Sequence, residues 1–163
     1  MSNELSHVNN QGEVSMVDVS GKSITERMAK ACGSIIIARE ALDKIKENTL
    51  KKGDVISSAK IAGIFGAKKT SEIIPLCYSL LLDKVDIQIN IDESKSKLDV
   101  ISTVKTTGKT GVEMEALMAT SSALLGIYDM IKAVDKNAVI TNIKLLEKIG
   151  GKSGHFIGDS SES

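Results

Sequence analysis

The chain has 163 residues, 42% of them hydrophobic, enough for one core and too few for two independently folded domains. Twenty-one basic side chains balance twenty-one acidic ones, so no global field steers the protein onto nucleic acid or an anionic membrane, and any anion site has to be local. With no tryptophan, two phenylalanines and two tyrosines, the aromatic platforms that stack single-stranded bases are missing as well.

Residues 1–18 are polar, carrying Glu4, Asn9, Asn10 and Glu13 without an apolar h-region, so they are expected to form an arm and not a secretory signal. Ile35, Ile36 and Ile37, bounded upstream by Gly33, predict a buried strand. Ala38, Ala41, Leu42 and Ile45 then recur at helical spacing opposite Arg39, Asp43, Lys44 and Lys46, which predicts a short helix. Gly53 breaks the chain, and Asp54 can cap a second helix with Val55, Ile56, Ala59 and Ala62 on its apolar positions. This helix should end before Pro75, the single proline.

Val85, Ile87, Ile89 and Ile91 alternate with Asp86, Gln88, Asn90 and Asp92, the pattern of a strand with one wet face. Beyond a polar turn at 93–96, Leu98, Val100 and Val104 predict its antiparallel partner. A long helix is expected over 112–134 and a last strand over 139–149, and the small polar residues 158–163 should form a disordered tail. The apolar stretch 114–131 is interrupted by Glu115, Thr120, Ser121, Ser122 and Asp129, too polar for a membrane span. The order β-α-(α)-β-β-α-β predicts an α+β fold, a ferredoxin-like antiparallel sheet with helices packed on one face and an added N-terminal arm, with residues 1–157 as a single domain.

Cys32 and Cys77 have no close Cys or His neighbour in sequence, and His7 and His155 lie at opposite ends, so no metal site is expected. Reduced, partly buried thiols in the cytoplasm are the expectation instead.

The long helix is apolar on most sides, yet Glu115, Ser122, Asp129 and Lys136 follow one another at seven-residue spacing, with Lys132 one turn after Asp129. This polar stripe has two readings. Asp129 and Lys132 form an ordinary surface pair, or an acid and an ammonium beside a dry wall have their proton affinities tuned for acid-base work. Gly-Lys-Ser/Thr occurs at Gly21, Gly108 and Gly151, but the positions five residues earlier hold Met16, Thr103 and Leu146, so none is a P-loop. Glu113 and Glu115 at the helix start favour the helix dipole and repel phosphate. They either stabilise the helix or accept hydrogen bonds from the amino and N-H edge of a purine or pterin. Better phosphate candidates are Lys51 and Lys52, Lys68 and Lys69, and Lys148 and Lys152, provided they converge in space.

Taken together, Met16-Val17-Asp18-Val19-Ser20, Lys52-Gly53-Asp54, Ala59-Lys60-Ile61-Ala62-Gly63, Ile74-Pro75-Leu76-Cys77, Ile127-Tyr128-Asp129-Met130, Lys132-Ala133-Val134 and residues 150–154 resemble the molybdenum cofactor biosynthesis C family. The most specific piece is Thr107-Gly108-Lys109-Thr110-Gly111-Val112-Glu113-Met114-Glu115-Ala116-Leu117, followed twelve residues later by Asp129. The resemblance implies a lyase that converts a cyclised dihydro-GTP, made by an upstream radical enzyme, to cyclic pyranopterin monophosphate and diphosphate. It also implies a homohexamer, a trimer of dimers, with active sites between subunits and no metal or organic cofactor. Asp129 falls on the family's catalytic aspartate, and Lys52 and Lys132 on its functional lysines. Leu76, Cys77 and Tyr78 occupy one substrate-binding segment, Met114 and Glu115 a second, and Lys68 a further basic position.

One departure stands out: the family pattern Leu-Cys-His-Pro-Leu reads Leu76-Cys77-Tyr78-Ser79-Leu80 here. Tyrosine keeps a hydrogen bond but does not titrate near neutrality as histidine does. A second reading therefore accompanies the enzyme, a non-catalytic member that binds a pterin or nucleotide; a third, a structural oligomerisation module, takes the polar stripe as interface pairing.

Overall fold

A computed structural model of the chain describes Val8 and residues 11–159. Sequence readings that rest on Glu4, His7, Asn9, Asn10 and residues 160–163 lie outside the described residues. Among the described residues nine elements follow in order: β1 (Thr25–Ile36), α1 (Arg39–Lys46), α2 (Val55–Lys68), α3 (Thr70–Ile73), β2 (Lys84–Asp92), β3 (Lys97–Gly108), α4 (Glu113–Ile131), β4 (Val139–Ile149) and β5 (Phe156–Ile157). The strands form one antiparallel sheet in the order β2-β3-β1-β4-β5, the ferredoxin-like arrangement with a short strand added at one edge. Helices α2 and α4 share one face, α4 lying over β1, β3 and β4 while α2 packs on α4 and β2. No helix among the described residues is long and apolar enough to cross a membrane.

The first strand is longer than three isoleucines suggest. It begins at Thr25, and Gly33 lies inside it while Ile37 falls beyond its end. Its inward positions, Ala29, Ala31, Gly33 and Ile35, are all buried, but three of them are too small to announce a strand by composition. The small residues let α4 sit close. A Cβ on Gly33 would lie 2.7 Å from Leu124 Cδ1 and 3.1 Å from Thr120 Cγ2. The opposite face, with Cys32, Ser34, Asp99 and Lys144, lines an open groove of about 430 Å³.

β2 and β3 pair from Lys84 opposite Lys105 to Asp92 opposite Lys97, and the Asp92 carboxylate closes the hairpin by accepting from Ser94 Oγ at 2.6 Å and Lys95 N at 3.1 Å. Along β3, Leu98, Val100 and Val104 face the core, with Ser102 buried among them. Its hydroxyl lies 2.7 Å from the Ala116 carbonyl and 2.7 Å from Thr120 Oγ1, so the buried polar group is satisfied by α4. Asp54 caps α2 by accepting from Ser57 N at 3.0 Å. α1 has no cap of its own; Asp135, nearly a hundred residues away, accepts from Ala38 N at 2.7 Å.

α4 ends at Ile131, so Lys136 lies beyond the helix and drops out of the polar stripe. At the other end of the fold, the Gly158 N-H donates to the Leu146 carbonyl at 2.8 Å.

Candidate active site

A cleft of about 1460 Å³ opens at the start of α4. Four loops meet there: the arm residues 17–23, the turn after Pro75, the segment 109–111 and the glycine turn after β4. Leu76, Cys77, Tyr78, Glu113, Met114 and Glu115, all singled out from the sequence, line this one cavity. Pro75 ends the helical stretch, and the turn is closed by Cys77 N-H donating to the Ile74 carbonyl at 3.1 Å. Tyr78 then turns its hydroxyl onto the Val17 carbonyl at 2.5 Å.

Glu115 is only 5% exposed, and burial pushes its carboxyl above the ordinary glutamate range, against the pull of its own backbone N-H and with a smaller push from Glu113. Burial likewise raises the Cys77 thiol, helped by the charge of Glu115. Glu113 is compensated: Lys148 Nζ lies 3.0 Å from its Oε1. A Cβ on Gly111 would fall 2.0 Å from Glu113 Oε2, so glycine leaves the room that this carboxylate occupies over the helix start.

Of the three lysine pairs proposed for phosphate, only Lys148 and Lys152 reach the cleft. Lys69 is paired with Glu72 at 2.7 Å, and Lys68 stands at the exposed end of α2 with its ammonium 5.8 Å from the Phe65 ring centroid. The structure adds a residue that sequence reading missed. Arg27, on β1, lines the cleft with a buried Nε that has no hydrogen-bond partner among the described residues, while its Nη2 donates to the Lys109 carbonyl at 3.4 Å. Gly150 and Gly151, at φ of +100° and +83°, form its cradle; a Cβ on Gly151 would sit 2.2 Å from Arg27 Nη1. The cleft thus gathers five cationic side chains against three carboxylates in a chain of zero net charge. A lone arginine in an unpredicted stretch of strand carried no signal by itself.

Asp129, Lys52 and Lys132 come together elsewhere, at the last turn of α4. Asp129 Oδ1 lies 2.7 Å from Lys132 Nζ and Oδ2 lies 2.9 Å from Lys52 Nζ, which also donates to the Asp129 carbonyl at 2.7 Å. Lys52 reaches this position from the turn before Gly53, whose φ of +96° suits glycine. The environment corrects the dry-wall expectation, because the Asp129 side chain is 57% exposed. Hydrogen bonds from Lys132 and Lys52, and then their charges, bring its pKa down to about 2, while the same pairing raises Lys132. The carboxylate is a firm anion that holds two ammonium groups side by side at a helix C-terminus.

Fourteen residues of helix separate Glu115 from Asp129, roughly 21 Å at 1.5 Å per residue. Within one chain, the cleft and the acidic-basic trio are therefore two separate clusters at opposite ends of α4.

A family model described as the MoaC family matches residues 16–151. The chain belongs to the MoaC family. Family members named cyclic pyranopterin monophosphate synthase match it along nearly its whole length. The protein of Campylobacter jejuni subsp. doylei is 54% identical, covering 94% of this chain and 98% of its own. That of Syntrophomonas wolfei is 52% identical over 94% and 98%. That of Clostridium acetobutylicum is 49% identical over 96% and 97%. The matched region begins at Met16, so the MoaC family similarity takes in the arm that closes the cleft as well as both polar clusters.

Proposed function

We propose that this chain is a lyase of molybdenum cofactor biosynthesis that converts cyclised dihydro-GTP to cyclic pyranopterin monophosphate and diphosphate. The observation that carries it is the composition of the cleft: Arg27, Lys148 and Lys152 suit a triphosphate, and the buried Glu115 suits an edge of amino and ring N-H groups. Full-length similarity to proteins named for that product supports the same reading.

In this reading the triphosphate lies among the cleft cations and the purine-derived ring against Glu113, Met114 and Glu115, with Leu76 and Cys77 as the apolar wall. Closing the cyclic phosphate forms a bond from a sugar hydroxyl oxygen to the α-phosphorus and breaks the bond to the bridging oxygen. Diphosphate leaves with its charge stabilised by lysine, and the hydroxyl proton passes to a base. Asp129, held near 2, is a weak base at neutral pH; it fixes Lys52 and Lys132, and because that pairing raises Lys132, its ammonium serves as a proton donor and a point charge and not as the base. Tyr78 has its hydroxyl committed to Val17 and takes no proton. Lys68, which neither lines the cleft nor pairs with Asp129, has the weakest support as a binding residue.

The helix-length gap between trio and cleft is bridged by a second copy, in a homohexamer built as a trimer of dimers. Ile61 and Phe65 on α2 and Leu125 on α4, each more than half exposed, are apolar surface that assembly would cover. The reading places the protein in the cytoplasm and takes its substrate from a radical enzyme.

Purified protein incubated with cyclised dihydro-GTP should release diphosphate and a fluorescent-oxidisable pterin. Lys52→Ala, Lys132→Ala and Asp129→Asn should each lower kcat by about 10²–10⁴-fold. Normal rates in all three reject the assigned roles, and saturable binding without any turnover by the unsubstituted protein leaves a binding-only member of the family.

A further inference from the structure

The arm that closes the cleft has no ladder to hold it. Residues 15–19 and 23–24 carry no regular structure, and 20–22 form a turn. That turn is internally tied, Ser20 N-H donating to Asp18 Oδ1 at 2.8 Å and Lys22 N-H to the Val19 carbonyl at 3.1 Å. Among the described residues, two side-chain hydrogen bonds tether residues 17–23 to the body of the fold. Tyr78 Oη donates to the Val17 carbonyl at 2.5 Å from one rim of the cleft, and Lys109 Nζ donates to the Ser20 carbonyl at 2.9 Å from the other. The loop that carries Tyr78 is itself fixed, because Ser79 Oγ lies 2.9 Å from Ser71 Oγ at α3. The two residues at which this chain departs from the family pattern, Tyr78 and Ser79, thus each make a bond: one to the arm and one to the loop's own support.

We propose that Tyr78 is a positioning residue whose hydroxyl pins residues 17–23 across the cleft, with Ser79 holding the loop that presents it. The pin is a single hydrogen bond between half-buried groups, strong enough to bias the arm toward closure and weak enough to let it open. Opening also frees the Lys109 ammonium from the Ser20 carbonyl, so an anion entering the cleft meets one more cation. Re-closure then walls the bound molecule off from water. The effect of the arm on substrate rests on the lyase reading above; the latch itself does not.

Tyr78→Phe removes the hydroxyl and keeps the ring, so the fold has no cavity to absorb. In ligand-free protein, quench-flow hydrogen exchange should show the amides of residues 17–23 opening about three- to tenfold more often in Tyr78→Phe, with residues 29–36 in β1 unchanged as the internal control. Unchanged exchange in the arm overturns the proposal. In steady-state kinetics with cyclised dihydro-GTP, KM should rise by a larger factor than kcat falls; a fall in kcat at constant KM overturns the positioning role and puts the hydroxyl on the reacting atoms. If the unsubstituted protein turns over no substrate, the lyase reading fails, and the exchange experiment still decides the latch.

Discussion

At Asp129, two ammonium groups within 3 Å hold an exposed carboxylate near 2, while at Glu115 burial drives a carboxyl the other way. The two sites therefore have opposite linkage to pH. A depressed pKa means that the folded form releases its proton more readily, so the contribution of Asp129 to stability is complete above about 4 and is lost as pH falls toward 2. Chemical denaturation between pH 5 and 2 should show a shallower acid loss in Asp129→Asn than in the unsubstituted chain. The raised Glu115 disfavours folding once ionised, so its penalty is absent below about 4.5 and grows as pH rises through its folded pKa. Glu115→Gln should accordingly raise Tm at pH 7, and the gain should vanish on acidification. Under the proposed function it should also weaken substrate binding, the pattern of a group kept for its ligand at a cost in stability. A seven-residue spacing showed that Glu115 and Asp129 share a stripe, but not that one is buried and the other wet, because exposure depends on what packs around each turn.

The crossing of α2 and α4 shows why glycines inside helices are retained. A Cβ on Gly66 would lie 2.1 Å from Ser122 Oγ and 2.7 Å from the Met118 carbonyl, and one on Gly63 would lie 3.0 Å from the Ala119 carbonyl. A backbone carbonyl cannot swing away, so Gly66→Ala should cost roughly 1–3 kcal/mol in overpacking, more than the ~1 kcal/mol that alanine adds in helix propensity. Thermal unfolding should register a clear drop in Tm, whereas Gly21→Ala, with nothing within 4 Å of the added carbon, should leave it unchanged. The elements were legible where one physical signal dominated: alternation in β2, the Asp54 cap of α2 and the hydrophobic span of β4. The stretch of β1 before Ile35 was not, because its buried inward residues Ala29, Ala31 and Gly33 are small, which leaves room for α4 but carries no strand signal. The cap that Asp135 places on α1 joins residues too far apart for any local pattern to pair them.

Across the whole molecule, the trio and the cleft lie at opposite ends of α4, so a completed site requires two chains under the proposed function. Mixing Asp129→Asn subunits with Glu115→Gln subunits, each with low activity alone, should restore roughly one-quarter of the normal rate when they assemble at random, because that fraction of sites draws its trio and its cleft from intact donors. Refolding the two variants together and assaying diphosphate release measures it; no recovery argues for sites confined to one chain. The α+β fold, the position of most elements and, through the motifs, the family and the residues to inspect were legible along the chain, because periodicity, caps and short motifs are local. That Lys148 and Lys152 join Arg27 in the cleft lining while Lys68 does not, that Asp129 is exposed, and that Tyr78 reaches back to Val17 emerged with the packing of the folded chain. Those outcomes depend on which surfaces pack together, and packing brings residues into contact without regard to their distance along the chain.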